Sequence, residues 1–197
     1  MKKIIAMLLV MSMILAFAGC AKTEAPETTA APETTAAPET TATAETTGEL
    51  TVTDMIGREL TLTSGSYSRV VCVGAGALRM YSYIGDVNLL AGVEDIDNTS
   101  LAQRPKMFDS VARPYMLAYG ETFKTLPSCG VGGPMAQAAE AEKILSCDPD
   151  LVISEFEDVE KSNALQEQLG VPVITLSTGS RGVFDEKFYG SVELLGE

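Results

Sequence analysis

The sequence of 197 residues contains no histidine and no tryptophan. Histidine is the commonest general base and the commonest protein ligand of transition metals, so its absence disfavours Ser-His hydrolases and histidine-rich zinc or manganese sites. Only 14 lysine and arginine residues oppose 27 acidic ones, which gives a net charge of −13. Because phosphate contacts need clustered basic side chains, this acidity argues against nucleic acid as a partner.

Cysteine is scarce, with four residues and no CxxC pair. Cys20 belongs to the N-terminal segment, which leaves Cys72, Cys129 and Cys147 for a folded domain. An odd number of cysteines in an exported chain allows at most one disulfide, for which Cys129 and Cys147 are the candidate pair. Cys72 lies within an apolar run and is predicted to be a buried thiol.

The first 19 residues have the three parts of a signal peptide: Lys2 and Lys3, a short apolar stretch, and small residues before Cys20. The apolar stretch is shorter than the roughly 20 residues that a membrane-spanning helix needs. The letters FAGC that end at Cys20 resemble a bacterial lipobox, which implies cleavage before Cys20 and lipid on its thiol. We therefore expect a protein anchored by lipid outside the cytoplasm, on a Gram-positive-type membrane or in a periplasm. Plain secretion is the alternative.

Residues 20–48 read as a linker, in which the hexapeptide APETTA occurs three times between Ala25 and Ala42. The repeats contain no aromatic or branched aliphatic side chain, so they cannot bury enough apolar surface to offset the entropy of ordering. We predict a disordered, extended linker that holds the next domain away from the membrane.

The remaining residues alternate between strand and helix patterns. Alternating polar and apolar residues around a turn at residues 55–57 predict a β-hairpin. The patterns then predict strands at 69–74, 89–93, 128–131, 151–154 and 173–176, and helices at 77–84, 137–145, 159–169 and 185–195. This order predicts an α/β fold, with a Rossmann-like parallel sheet flanked by helices and preceded by the hairpin. Such sheets bind ligands at the carboxyl ends of their strands.

The connection from Asp95 to Leu126 is longer than an ordinary loop, and loops of that length are usually functional or disordered. It contains Arg113, Tyr115 and Tyr119. With Arg181, after the last predicted strand, these residues are predicted to hold an anionic iron chelate, because arginine offers a fixed fork of donors. Ordinary surface packing is the alternative for each of them.

Glycines follow the first buried strand, where Gly74-Ala75-Gly76 resembles the start of a dinucleotide fingerprint. Arg79 occupies the place of the third glycine, which argues against that site. We predict a tight turn whose helix start faces a ligand, with Gly76 and Arg79 beside it; a purely structural turn is the alternative. The same two interpretations apply to the sequence GVGGP at residues 130–134.

Acidic residues follow two of the predicted strands. The stretch from Glu94 to Asn98 lacks the glycine and the distal glutamate of a calcium loop and is predicted to be a solvated turn. Glu155 is assigned to the ligand site. Together with Asp95 and Asp97 it would serve an extracytoplasmic metallohydrolase, an alternative with little motif support.

Four segments resemble, in their order, the N-terminal lobe of class III ABC-transporter substrate-binding proteins, which carry iron–siderophore complexes, cobalamin and related chelates. They are VTDMIGRELTL, RVVCVGAGALRMYSYIGDVNLLAGVED, AEKILSCDPDLVIS and LGVPVITL. In addition, RPYMLAYGETFKTLP resembles a loop of the iron-complex members. The resemblance extends over nearly all of residues 51–197 and implies two lobes, joined by a long helix, that hold the ligand between them.

This resemblance implies a binding protein, not an enzyme, that delivers a ferric siderophore-like chelate to a membrane permease. Cobalamin or haem is the alternative ligand, and an interaction module is a further alternative; no resident cofactor is expected. Glu142 would dock onto the permease, unless it is an ordinary exposed helix charge. Residues 49–185 would form the N-terminal lobe and residues 186–197 the start of the joining helix. We expect the second lobe to be missing from this chain.

Overall fold

The computed structural model describes residues 48–179 and 184–197. Their helices and strands are β1 Glu49–Thr53, β2 Glu59–Thr63, β3 Val70–Val73, α1 Ala77–Ile84, β4 Leu90–Gly92, α2 Pro114–Phe123, α3 Ala141–Ser146, β5 Leu151–Ser154, α4 Val159–Leu169, β6 Val173–Thr175 and α5 Glu186–Gly196. The predicted signal peptide, Cys20 and the repeats lie outside the described residues, as does Arg181. Within them, no helix is long and apolar enough to cross a membrane.

Four parallel strands form the central sheet, in the order β4-β3-β5-β6. Every residue of β3 is buried, because the sheet is covered on both faces. Val70 and Cys72 contribute to one apolar cluster, whereas Val71 and Val73 contribute to the other, as the alternation of side chains along a strand requires. The predicted parallel α/β fold is therefore confirmed.

The two faces of the sheet carry different helices. Apolar residues of α1, α2 and α5 join the first cluster, together with the hairpin. Residues of α3 and α4 join the second cluster. Both sets of helices are held mainly by apolar burial, at about 25 cal/mol for each Å² removed from water.

The predicted hairpin is present, and β1 pairs with β2 in antiparallel register. Val52, Leu60 and Leu62 are buried against the first cluster. At the turn, Asp54 and Arg58 form a buried ion pair of 2.7 Å. Arg58 Nη2 also donates to the carbonyl of Val173 at 2.5 Å, which fastens the hairpin to β6.

A helix, α2, lies within the connection for which the sequence predicts a loop. Pro114 occupies its first turn, where the missing N–H costs nothing. Tyr115, Tyr119 and Phe123 follow at intervals of four, and both tyrosine ring centroids lie 6.3 Å from that of the fully buried Phe123. The prediction of a loop was wrong here because this spacing places the three rings on one face of a helix.

Two other elements differ from the predicted ones. The strand predicted at 128–131 is reduced to a single parallel bridge between Val93 and Ser128. The helix predicted at 137–145 begins only at Ala141. Just before α3, the carboxylate of Glu140 accepts a hydrogen bond of 2.6 Å from the backbone N–H of Val131. Glu140 therefore holds the GVGGP segment in place.

The candidate disulfide is not formed, since Cys129 and Cys147 are both free, buried thiols. The thiol of Cys147 is directed at the carbonyls of Lys143 and Ser128, at 3.4 and 3.6 Å. That of Cys129 lies 4.0 Å from the carbonyl of Cys72. Burial raises the pKa of both thiols and keeps them protonated. Cys72 is a buried thiol, as predicted.

Candidate functional site

A groove with a volume of about 600 Å³ opens beyond the carboxyl ends of β3, β4 and β6. Its walls come from the turn after β3, from the acidic stretch after β4, and from the connection that leads into α2. Parallel sheets bind ligands at this edge, and the volume falls within the range of small-molecule sites.

The first wall is the turn from Gly74 to Gly76 and the start of α1. Gly76 has a φ of 125°, and a Cβ atom on it would lie 2.7 Å from Thr178 Cγ2 and 2.9 Å from Glu155 Oε2. Position 76 therefore requires glycine, because of the positive φ and because a side chain would collide with Thr178 and Glu155. In the first turn of α1, Arg79 lines the groove, and its buried Nε has no hydrogen-bond partner among the described residues.

Glu155 follows β5 and lies directly behind Gly76. One carboxylate oxygen accepts a hydrogen bond from the Thr178 hydroxyl. The other, Oε2, is buried and has no partner within the described part of the chain. Burial raises the pKa of Glu155 to about 7, although the bond from Thr178 and the charge of Arg79 oppose the rise. The carboxyl group is therefore partly protonated near neutral pH.

The second wall contains Arg113, Asp97 and Tyr115. Arg113 Nη1 lies 2.6 Å from Asp97 Oδ1, and the Tyr115 hydroxyl donates to the same oxygen at 2.9 Å. Burial raises the pKa of Asp97, and the two donors lower it. Burial also raises the pKa of Tyr115 above its ordinary value, so the phenol remains a protonated donor.

The acidic stretch after β4 is buried, so the prediction of a solvated turn was wrong. Glu94 and Asp97 are only 6% and 5% exposed. The reason is that residues 130 and 131 cover the stretch: Asp95 N–H donates to Gly130 O at 2.8 Å, and Ile96 N–H to Val131 O at 3.2 Å.

Glu94 turns its carboxylate toward the first wall, where Oε1 accepts a bond of 3.0 Å from the N–H of Gly74. Burial raises its pKa to about 7; the backbone N–H groups of Gly74 and Gly133 lower the pKa, and the charge of Asp97 raises it. The groove therefore contains a second carboxyl group that titrates near neutrality.

Most of the predicted ligand-site residues lie together. Those that line the groove are Gly76, Arg79, Arg113 and Tyr115, with Glu155 behind them. Tyr119 packs against Phe123 and the first apolar cluster instead. Glu142 is exposed on α3, away from this wall, and Arg181 lies outside the described residues.

Several lining residues were not predicted, among them Tyr83, Glu94 and Thr178. Glu94 and Thr178 follow the ends of β4 and β6, so their position after buried strands was an available signal. Tyr83 lies four residues after Arg79 and shares its face of α1, which is the helical signal that would have identified it.

The groove can hold a polar molecule through guanidinium, phenol and carboxyl groups, with aromatic and aliphatic side chains such as Phe108 and Val111 around them. Within residues 48–179 and 184–197, no group of three or more Cys, Asp or Glu side chains is arranged to hold a metal ion.

No protein-family model matches the sequence, and no curated protein matches it either. Among solved structures, the molybdate periplasmic binding protein MolA of a Haemophilus influenzae ABC transporter matches with a TM-score of 0.53 at 15% identity. The match covers 75% of this chain and 45% of MolA. The chain has the fold of one lobe of a periplasmic binding protein.

Two further structures match this lobe less well. The heme binding protein HmuT has a TM-score of 0.44 at 17% identity, over 71% of this chain and 38% of its own. The catecholate-siderophore binding protein VctP from Vibrio cholerae has a TM-score of 0.44 at 22% identity, over 66% of this chain and 37% of its own. The chain thus spans less than half the length of each of the three proteins.

Proposed function

We propose that the chain is the substrate-binding component of an ABC importer. It acts outside the cytoplasm, binds an iron complex of the ferric siderophore type, and delivers this complex to a membrane permease. The observation that carries the proposal is the groove at the carboxyl ends of the parallel strands, lined by Arg79, Arg113 and Tyr115. Ligand binding at this edge suits the fold of one lobe of a periplasmic binding protein.

The chemistry of the groove supports a chelated metal as the ligand. The sequence has no histidine, the side chain that most often binds a bare transition metal. Arginine nitrogens instead suit the oxygen atoms on the outside of a chelate. A volume of about 600 Å³ accommodates a substantial part of such a molecule.

Calorimetric titration of the full chain, purified from membranes in detergent, tests the proposal. The probes are ferric hydroxamate and ferric catecholate chelates, haem and cobalamin. We expect saturable binding of a ferric chelate and about 10- to 100-fold weaker binding in Arg79→Gln, because the variant loses a charge-assisted hydrogen bond. Arg69→Gln is the matched control, since Arg69 lies at the opposite, amino end of β3 and bonds to carbonyls there.

Each other outcome of this titration is informative. Binding of haem or cobalamin alone would keep the transport role and change the ligand. Binding of none of the four probes would contradict the proposal and favour an interaction module. Hydrolytic turnover of a bound compound that is lost in Glu155→Gln would favour the enzyme alternative.

Docking onto the permease is assigned to Glu142, which is exposed on α3. We expect Glu142→Arg to reduce uptake of the labelled chelate in cells at least tenfold and to leave binding by the purified chain unchanged. Glu59→Arg, an equal change of charge on the exposed face of the hairpin, is the control. Equal uptake in the two variants would refute the role of Glu142.

Anchoring is assigned to Cys20. The Cys20→Ala variant should leave the membrane fraction and appear in the medium or periplasm, and the mature chain with Cys20 should carry the mass of a lipid. An unmodified mature chain that is still exported would contradict the anchor but not the binding function.

A further inference from the structure

Two arginines in or near the groove are already paired with acidic side chains of the protein. Arg113 is committed to Asp97, at 2.6 Å, and Tyr115 donates to the same carboxylate. Farther along the connection into α2, Arg104 is paired with Asp109 at 2.8 Å. These two arginines therefore present little net positive charge to a ligand.

The remaining cation in the described walls is Arg79, which lies near Glu155. Glu155 is near enough for the charge of Arg79 to lower its pKa, yet the two side chains form no ion pair. Glu94 also lines the groove, with backbone N–H groups as its donors. The two guanidinium groups that line the groove are those of Arg79 and Arg113. They are outnumbered by three carboxyl groups at the groove, those of Glu94, Asp97 and Glu155.

Two buried polar atoms beside the groove have no hydrogen-bond partner among the described residues. Arg79 Nε is a donor without an acceptor, and Glu155 Oε2 is an acceptor without a donor, among the residues that the structure describes. Gly76, which lines the groove, would place a Cβ atom only 2.9 Å from that oxygen. Of the five buried side-chain atoms without a partner in the described residues, these two lie beside the groove, whereas those of Asp95, Arg104 and Ser128 belong to residues outside its lining. Buried polar atoms without partners are rare in folded proteins, so the two atoms beside the groove indicate where a ligand completes the hydrogen bonds.

We propose that the groove selects a chelate of near-zero net charge that places a hydroxyl or amide group between Arg79 and Glu155, and that it rejects polyanionic chelates. A hydroxyl or amide group accepts from Arg79 Nε and donates to Glu155 Oε2 at once. A polyanion satisfies the arginine only and brings further negative charge against Glu155 and Glu94. This inference rests on the proposed function and names its class of substrate.

Two probes that differ mainly in charge test the inference: a neutral ferric tris-hydroxamate and a trianionic ferric tris-catecholate. Both are titrated into the full chain in detergent at pH 8 and 0.15 M salt. Burial raises the pKa of Glu94 and Glu155 to about 7, so both groups are largely ionised at this pH. We expect the neutral probe to bind at least tenfold more tightly.

A preference for the trianionic probe, or equal affinity for the two, would overturn the inference and leave the proposed function intact. Binding of neither probe would overturn the ferric-chelate ligand of the proposed function together with the inference. The two failures are therefore distinguishable in one experiment.

The Glu155→Gln variant separates the local cause from the overall acidity of the chain. It retains an oxygen that can accept from Thr178 and removes one negative charge beside the groove. We expect the ratio of the two affinities to shift about tenfold toward the trianionic probe. The control is Glu157→Gln, whose carboxylate is bound by Ser177 and Lys187 and does not line the groove. A ratio that is unchanged in Glu155→Gln, or that shifts equally in both variants, would overturn the role of Glu155.

Discussion

Arg58 on the hairpin and Arg79 in the groove both have nitrogen atoms that are shielded from solvent, but their surroundings differ. The guanidinium of Arg58 donates to Asp54, to the carbonyl of Val173 and to the side chains of Thr175 and Asn163. The Nε of Arg79 finds no acceptor among the described residues. The first arrangement is complete within the protein and holds the hairpin to the sheet. The second is incomplete, which agrees with the proposal that a ligand binds there.

The largest effect on stability is expected on breaking the buried ion pair between Asp54 and Arg58. Arg58→Met leaves the Asp54 carboxylate buried without its cation, since the two side chains are only 7% and 0% exposed. Removing one partner of such a pair costs about 3–5 kcal/mol, and urea unfolding of the chain without ligand would measure it.

The control for Arg58→Met is Glu121→Ala, which breaks the pair between Glu121 and Lys124. The Glu121 side chain is 91% exposed, so its loss should change the stability by less than about 1 kcal/mol. Equal effects of the two variants would show that the Asp54–Arg58 pair does not fasten the hairpin.

The next largest effect on stability is expected at Glu94, a buried acid that is not paired with a basic side chain within the described part of the chain. Burial raises the pKa of Glu94 to about 7, against about 4.3 in an unfolded chain. Between these pH values the carboxyl group of Glu94 keeps a proton in the folded state that it has lost in the unfolded state. The contribution of Glu94 to stability is therefore complete at low pH and is lost as the pH rises through 7. Glu94→Gln cannot ionise, and we expect it to become more stable than the parent chain by about 3 kcal/mol at pH 8.

The pH profile of Asp150→Asn should have the opposite sign. Burial raises the pKa of Asp150, but hydrogen bonds from Ser68 and Arg69 prevail and lower it. Its stabilisation is therefore present above the ordinary pKa of aspartate and is lost as the pH falls. Urea unfolding of both variants between pH 3 and 8 would compare them, and a constant difference between Glu94→Gln and the parent would contradict the burial of a titrating carboxyl.

Local patterns predicted the sheet because its strands are short runs of branched apolar residues. The strand at 151–154 and the helices at 77–84 and 159–169 have the predicted bounds. The position of the groove followed from the parallel arrangement, and with it the placement of Gly76 and Arg79.

The rest of the groove depends on contacts between distant parts of the chain. No local pattern shows that residues 130 and 131 cover the acidic stretch, so the sequence predicts a solvated turn where Glu94 and Asp97 are in fact buried. Tyr119 was assigned to the ligand, but the helix that contains it turns this ring toward Phe123. The spacing of four residues between Tyr119 and Phe123 was visible in the sequence, but it does not show that Phe123 is fully buried in the first apolar cluster.

The smallest effect on stability is expected at Arg79, with the same substitution as at Arg58. Methionine keeps most of the apolar stem and removes a buried donor that the described residues leave unpaired, so the free energy of unfolding of Arg79→Met should lie within about 1 kcal/mol of the parent value. The affinity for the neutral ferric chelate should nevertheless fall at least tenfold. Urea unfolding and calorimetry on the same preparation measure the two quantities. If Arg79→Met were destabilised as much as Arg58→Met, the guanidinium of Arg79 would already be satisfied in the folded protein, and the difference between the two arginines would no longer identify a binding site.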